Sequence, residues 1–130
     1  HIKELLVKDS KRPVVNQIEL SPYLQQETIY SFCRKENIHL TGYCPLARGE
    51  RFSDPKLSQL ANEIHKSSAQ LMIRWALQRG HTVIPKSVRP ERIEENANVF
   101  DFNLSEEQMK VLDGLDQGLR FCPDPLEITV

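Results

Sequence analysis

The sequence predicts an α/β fold, a parallel sheet with helices packed across it, and three observations predict it. Short runs rich in β-branched residues alternate with segments whose apolar residues recur at helical spacing. Each strand run is closed by a proline, at Ser21-Pro22, Pro45 and Pro85. The segments between the strand runs are long enough for the helical crossovers that parallel strands require.

Taken in order, His1 to Asp9 (HIKELLVKD) reads as a helix already under way, with no Met before it. The first residue is therefore expected to be a cut end. Val14 to Leu20 reads as a buried strand. Gln26 to Lys35 carries Ile29, Phe32 and Cys33 at helical spacing, and Ile38 to Cys44 is a second strand. Pro55 to Lys66 is a helix with Leu57, Leu60, Ala61 and Ile64 on one face. Ser67-Ser68-Ala69-Gln70 has capping-box spacing and opens a helix that ends before Gly80. Thr82-Val83-Ile84 is the third strand. Pro90 suits the first turn of a helix reaching Ala97, where a proline forfeits no intrahelical bond. Ser105 to Gln108 is another capping box, opening a helix through Leu115, and the tail from Gly118 to Val130 has no clear period. Three strands leave two bare edges, which favours a piece of a larger sheet over a self-sufficient one.

The chain has 130 residues, a formal net charge of −1, 39% hydrophobic and 27% charged residues. Near-neutral charge argues against nucleic acid or an anionic membrane surface as partner, since both select a basic face. No apolar run approaches the roughly 20 residues that span a bilayer. Cys33, Cys44 and Cys122 are widely spaced and odd in number, which predicts reduced cytoplasmic thiols and neither a disulfide framework nor a metal site. His39, His65 and His81 form no ligand-spaced pair and read as surface or packing residues, as Trp75 reads as core.

The strand ends carry the chemistry. In barrels of alternating strands and helices, working groups gather at the C-terminal ends of the strands, often with a phosphate site after the last two. The three ends here are Gln17/Glu19, Tyr43/Cys44 and Lys86/Ser87. Beyond the last, Arg89 and Arg92 flank a helix start whose free N–H groups and dipole favour an anion. Lysine adds a point charge, and arginine can hold phosphate oxygens with two parallel bonds. A solvated basic turn without a ligand is the alternative, and the spacing alone leaves both open. Glu19 is expected to pair with a neighbour, and Cys44 to serve as a small apolar filler.

VNQIELSPYLQQ (Val15 to Gln26), GYCPLARG (Gly42 to Gly49), SSAQLMIRWALQRG (Ser67 to Gly80) and VIPKSVRPERIEENANVFDF (Val83 to Phe102) resemble the aldo-keto reductase superfamily, in its order and at its separations. The resemblance covers practically the whole chain. It implies a (β/α)8 TIM barrel of which this chain forms the C-terminal part: strands six to eight with their helices, an added helix and the tail. Residues 1–130 would then be a partial NADP-dependent oxidoreductase domain, acting with NADP(H) on small aldehydes or ketones.

Position by position, the resemblance implies that Gln17 bonds the nicotinamide carboxamide and Tyr43 stacks on the nicotinamide ring. The backbone of Cys44, Pro45 and Leu46 would follow the pyrophosphate. Lys86, Ser87 and Arg92 would hold the adenosine 2′-phosphate, with Glu95 and Asn96 at the adenine. Such a site prefers NADP to NAD, because NAD leaves the cations without a partner. Two positions depart from the family. Cys44 stands where many members have a serine, and the loop after Leu46 is short. The family's catalytic tyrosine and its Asp, Lys and His partners have no counterpart here, and Tyr23, Tyr30 and Tyr43 do not match it. No catalytic residue is therefore expected in this chain, which would need the N-terminal half of the barrel for activity. The tail from Leu119 to Pro125 resembles the family's substrate-bordering segment. Two other readings are a truncated binding or regulatory module that pairs through its open sheet edges, and a non-functional fragment.

Overall fold

The computed structural model describes residues 2–7 and 11–127. His1, Lys8 and Asp9 of the expected first helix, and Ile128 to Val130 of the tail, lie outside the described residues. The elements run α1 (Ile2–Val7), β1 (Val15–Glu19), α2 (Glu27–Lys35), β2 (His39–Tyr43), a 3-10 turn (Ala47–Gly49), α3 (Pro55–Glu63), α4 (Ser68–Gln78), β3 (Thr82–Val83), α5 (Pro90–Ala97) and α6 (Glu106–Asp113). The three strands form one parallel sheet in the order β1-β2-β3, with Gln17 opposite Thr41 and Thr41 opposite Thr82.

Most element ends follow from local chemistry. Asp54 caps α3 by accepting from the N–H groups of Lys56 and Leu57. Ser67 and Ser105 both form reciprocal capping boxes, with Gln70 and Gln108. Gly80 turns the chain out of α4 at φ +81°, a conformation glycine adopts without a Cβ clash. The helix expected to reach Lys66 ends at Glu63, because His65 takes φ 53° and Ser67 must be extended to cap α4. Two helices therefore follow β2, as the sequence predicted. The third strand is shorter than expected. Ile84 still donates to the Gly42 carbonyl at 3.1 Å, and Pro85, with no N–H, ends the ladder.

The core lies between one face of the sheet and α3, α4 and α6. Leu20, Leu57, Leu71, Met72, Trp75 and Leu112 are wholly buried there. The Trp75 indole N–H donates to the Asp113 carboxylate at 2.7 Å, which ties α6 to α4. Gly42 is where the sheet meets this core. A Cβ there would lie 3.1 Å from that of Leu20, so a larger residue would push β2 away.

Strand alternation places Val15, Gln17, His39, Thr41 and Thr82 on the opposite face. No helix covers that face among the described residues. Val15 is 49% exposed, and Gln17, His39 and Thr82 are exposed beside it. Parallel sheets are ordinarily covered on both sides. The chain exposes 8380 Å², whereas a compact monomer of 15.0 kDa exposes about 7,000 Å². The bare face and the open strand edges account for that excess in kind. No helix among the described residues is long and apolar enough to cross a membrane.

Candidate functional site

All three strands point their C-terminal ends the same way, and the segments leaving them meet there. After β2 the chain enters a tight curl, with φ of 53° at Cys44, 48° at Ala47, 53° at Arg48 and 81° at Gly49. Left-handed backbone costs a non-glycine residue roughly 1–2 kcal/mol, so the curl persists only because its surroundings hold it. Ala47 is wholly buried. The Phe52 carbonyl accepts from the hydroxyls of Ser58 at 3.1 Å and Ser68 at 3.2 Å, which fastens the loop to α3 and to the start of α4. After β3 the chain reaches α5, whose first turn has no side-chain cap. Gln70 of α4 holds α5 in place by donating to the carbonyls of Asn98 at 2.8 Å and Glu95 at 3.3 Å.

Between these pieces lies an open cavity of about 580 Å³. Leu46, Arg48, Gly49 and Phe52 form one wall, Ser67, Ser68 and Ala69 another, and Lys86, Ser87, Arg92, Glu95 and Asn96 the third. Arg92, Glu95 and Asn96 share a face of α5 by their i, i+3, i+4 spacing. Six of the residues singled out in the sequence, Leu46, Lys86, Ser87, Arg92, Glu95 and Asn96, thus border one space. Three cations, Arg48, Lys86 and Arg92, face it with a single carboxylate, Glu95. Among the described residues neither Lys86 nor Arg92 has an ion-pair partner, so their charge is available to a ligand.

The other four, Gln17, Tyr43, Cys44 and Pro45, lie outside that lining, along the bare face and the end of β2. Gln17 is exposed on that face, one pleat from the Glu19–Tyr43 pair. Desolvation, then the Glu19 charge, raises the Tyr43 phenol above its usual range and keeps it neutral. Glu19 is 1% exposed and clamps the tail: it accepts from the N–H groups of Phe121 at 2.6 Å and Cys122 at 3.4 Å, with Arg120 at 3.8 Å. It pairs with neighbours, as its sequence position suggested. Burial and a hydrogen bond with Cys122 push the Cys44 thiol up to about 11, so it is protonated at neutral pH. His81 is buried edge-on against Tyr30 at 4.9 Å, and His39 bonds the Thr82 hydroxyl at 2.8 Å, so both pack and neither meets the cavity.

Sequence reasoning missed Arg48 and Phe52 as cavity walls and the tail clamp on Glu19. An arginine before glycine in a loop was the only signal for the first. The second joins residues 102 positions apart, which no local pattern reveals.

The family model for the aldo/keto reductase family matches residues 1–117. An uncharacterised oxidoreductase of Schizosaccharomyces pombe is 48% identical over 97% of this chain and 48% of its own length. The glyoxal reductase of Bacillus subtilis is 41% identical over 98% of this chain and 46% of its own. Among solved structures, a variant of Gox0644 in complex with NADPH superposes with a TM-score of 0.93 at 37% identity, covering 99% of this chain and 48% of that one. The chain spans about half the length of the curated relatives it matches. On the family match and these identities, the chain belongs to the aldo/keto reductase family.

Proposed function

We propose that this chain is the cofactor-holding part of an NADP(H)-dependent reductase of small aldehydes or ketones. It contributes strands six to eight of a (β/α)8 barrel that works in the cytoplasm. The observation that carries the proposal is the single cavity shared by Arg48, Lys86, Ser87, Arg92, Glu95 and Asn96. Its chemistry fits the adenosine end of such a dinucleotide. Two positive charges in excess suit the extra phosphate, the Ser87 hydroxyl can donate to it, and Glu95 with Asn96 offers hydrogen bonds to a base. Its volume of about 580 Å³ lies within the usual range of ligand pockets. The Gox0644 variant solved with NADPH, similar over nearly all of this chain, supports the same reading.

NADPH, when bound, supplies the hydride for carbonyl reduction. Lys86 and Arg92 anchor the 2′-phosphate and so select the phosphorylated cofactor. Tyr43, kept neutral by desolvation, stacks on the nicotinamide, and Gln17 holds its carboxamide. The backbone of Cys44, Pro45 and Leu46 follows the pyrophosphate, with Arg48 near enough to add charge. The tail from Leu119 to Pro125, clamped by Glu19, borders the carbonyl substrate. Protonation of the substrate oxygen falls to a segment outside these residues. Tyr23 is wholly buried, Tyr30 lines a cavity at the other end of the sheet, and Tyr43 serves the ring. The bare face of the sheet is where the rest of the barrel closes, and these 130 residues alone do not reduce carbonyls.

The test is the affinity of the complete barrel for NADP and for NAD, before and after Arg92→Ala. Loss of a charge-assisted contact of about 1.5–3 kcal/mol predicts roughly ten- to hundredfold weaker NADP binding, with NAD nearly unchanged. Equal losses for both cofactors would refute the 2′-phosphate role.

A further inference from the structure

Cys44 and Cys122 lie 78 positions apart in the sequence, one just after β2 and the other in the tail, yet they meet. Their sulfurs and a carboxylate oxygen of Glu19 all lie within 4.8 Å of one another. Such a trio could be read as a cation site, but Glu19 is already engaged by two tail amides and Arg120, and the Arg48 guanidinium lies 3.8 Å from the Cys122 sulfur. A metal ion would have to displace the first set and tolerate the second. The two sulfurs are left to each other.

We propose that Cys44 and Cys122 are a reversible dithiol–disulfide pair that fastens the tail to the end of β2 when a small disulfide such as oxidised glutathione is present. The chemistry proceeds in two exchanges. Cys122, with a cation at its side, gives up its proton, and its sulfur attacks one sulfur of the glutathione disulfide. That S–S bond breaks, and one glutathione leaves and takes up the proton. Cys44 then loses its proton as its sulfur attacks the Cys122 sulfur of the mixed disulfide. The second glutathione leaves with that proton. Two protein thiols are oxidised and one glutathione disulfide is reduced to two thiols. Cys122 goes first because the Arg48 guanidinium lies 3.8 Å from its sulfur and favours the thiolate. Cys44 and Cys122 are half-buried residues, whereas Cys33 is wholly buried and stays out of the exchange. The two sulfurs, within 4.8 Å of each other, must close to about 2.05 Å, and Cys122 sits in a tail without regular structure. The bond would pin the tail beside Tyr43, whatever the chain binds.

Treating the protein with oxidised glutathione and mapping its peptides without reduction tests this. The expected result is loss of two of the three free thiols, a Cys44–Cys122 linked peptide pair, and return of both thiols with dithiothreitol. Cys33→Ser should form the same link, and Cys44→Ser should stop at glutathione on Cys122. A wild-type protein that accumulates glutathione on Cys122 with Cys44 still free, or that shows no link, would overturn the proposal. The readout is a covalent bond, so it is independent of whether NADPH binds.

Discussion

His81 shows how one buried side chain ties this fold to pH. The residue is 5% exposed, its ring edge-on to Tyr30, and burial, with Arg79 nearby, lowers its pKa from 6.5 to about 4. As pH falls, the unfolded chain takes up this proton first, because its histidine keeps the ordinary value. The stabilisation is therefore complete above about pH 6.5 and erodes as pH drops toward 4. Thermal melts should show the transition temperature falling across that window, and His81→Phe should flatten that part of the profile. A variant that tracks the wild type point for point would rule His81 out as the source. Arg92 and Lys86 are the opposite kind of residue. They are exposed and have no ion-pair partner among the described residues, so their removal should leave folding nearly unchanged while altering what binds.

At the scale of elements, the helices that carry the site are fixed at their ends. The capping box of Ser67 with Gln70 starts α4, and the same Gln70 side chain reaches across to α5, so one short segment aligns two cavity walls. Ser67→Ala should cost about 1 kcal/mol in denaturant unfolding. It should also weaken ligand binding at the cavity, since the hydroxyl that orders this turn is lost. A stability change with binding untouched would separate α4 from the site. These ends were legible in the sequence because caps, prolines and Gly80 act within a few residues of themselves. The Ala47–Gly49 turn was not, because alanine and arginine seldom adopt left-handed backbone and nothing local marks them for it. Only packing, with Ala47 buried and the Phe52 carbonyl held by two serines, decides that turn.

At the scale of the molecule, a three-stranded parallel sheet carries helices on one face and leaves the other open, with Val15 and Gln17 exposed on it. The order and direction of the strands were legible from the alternation of periods. Lys86, Ser87 and Arg92 were legible together because one strand–turn–helix unit presents them. Arg48 and the Glu19 clamp on the tail depend on contacts between distant parts of the chain, and only the folded structure brings them in. The cavity bordered by Arg48, Lys86 and Arg92 is also distinct from the one at the opposite end of the sheet, lined by Arg34, Arg79 and His81. Both contain cations, but Arg79 is already paired with Glu27 at 2.6 Å and Asp113 at 2.9 Å. A backbone-amide NMR titration with adenosine 2′,5′-bisphosphate, set against the 5′-monophosphate, separates the two most directly. Shifts at Leu46 to Phe52, Ser67 to Gln70 and Lys86 to Asn96 that appear only with the 2′-phosphate are the predicted result. Shifts centred on Arg34 and Arg79, or equal shifts with both nucleotides, would contradict it.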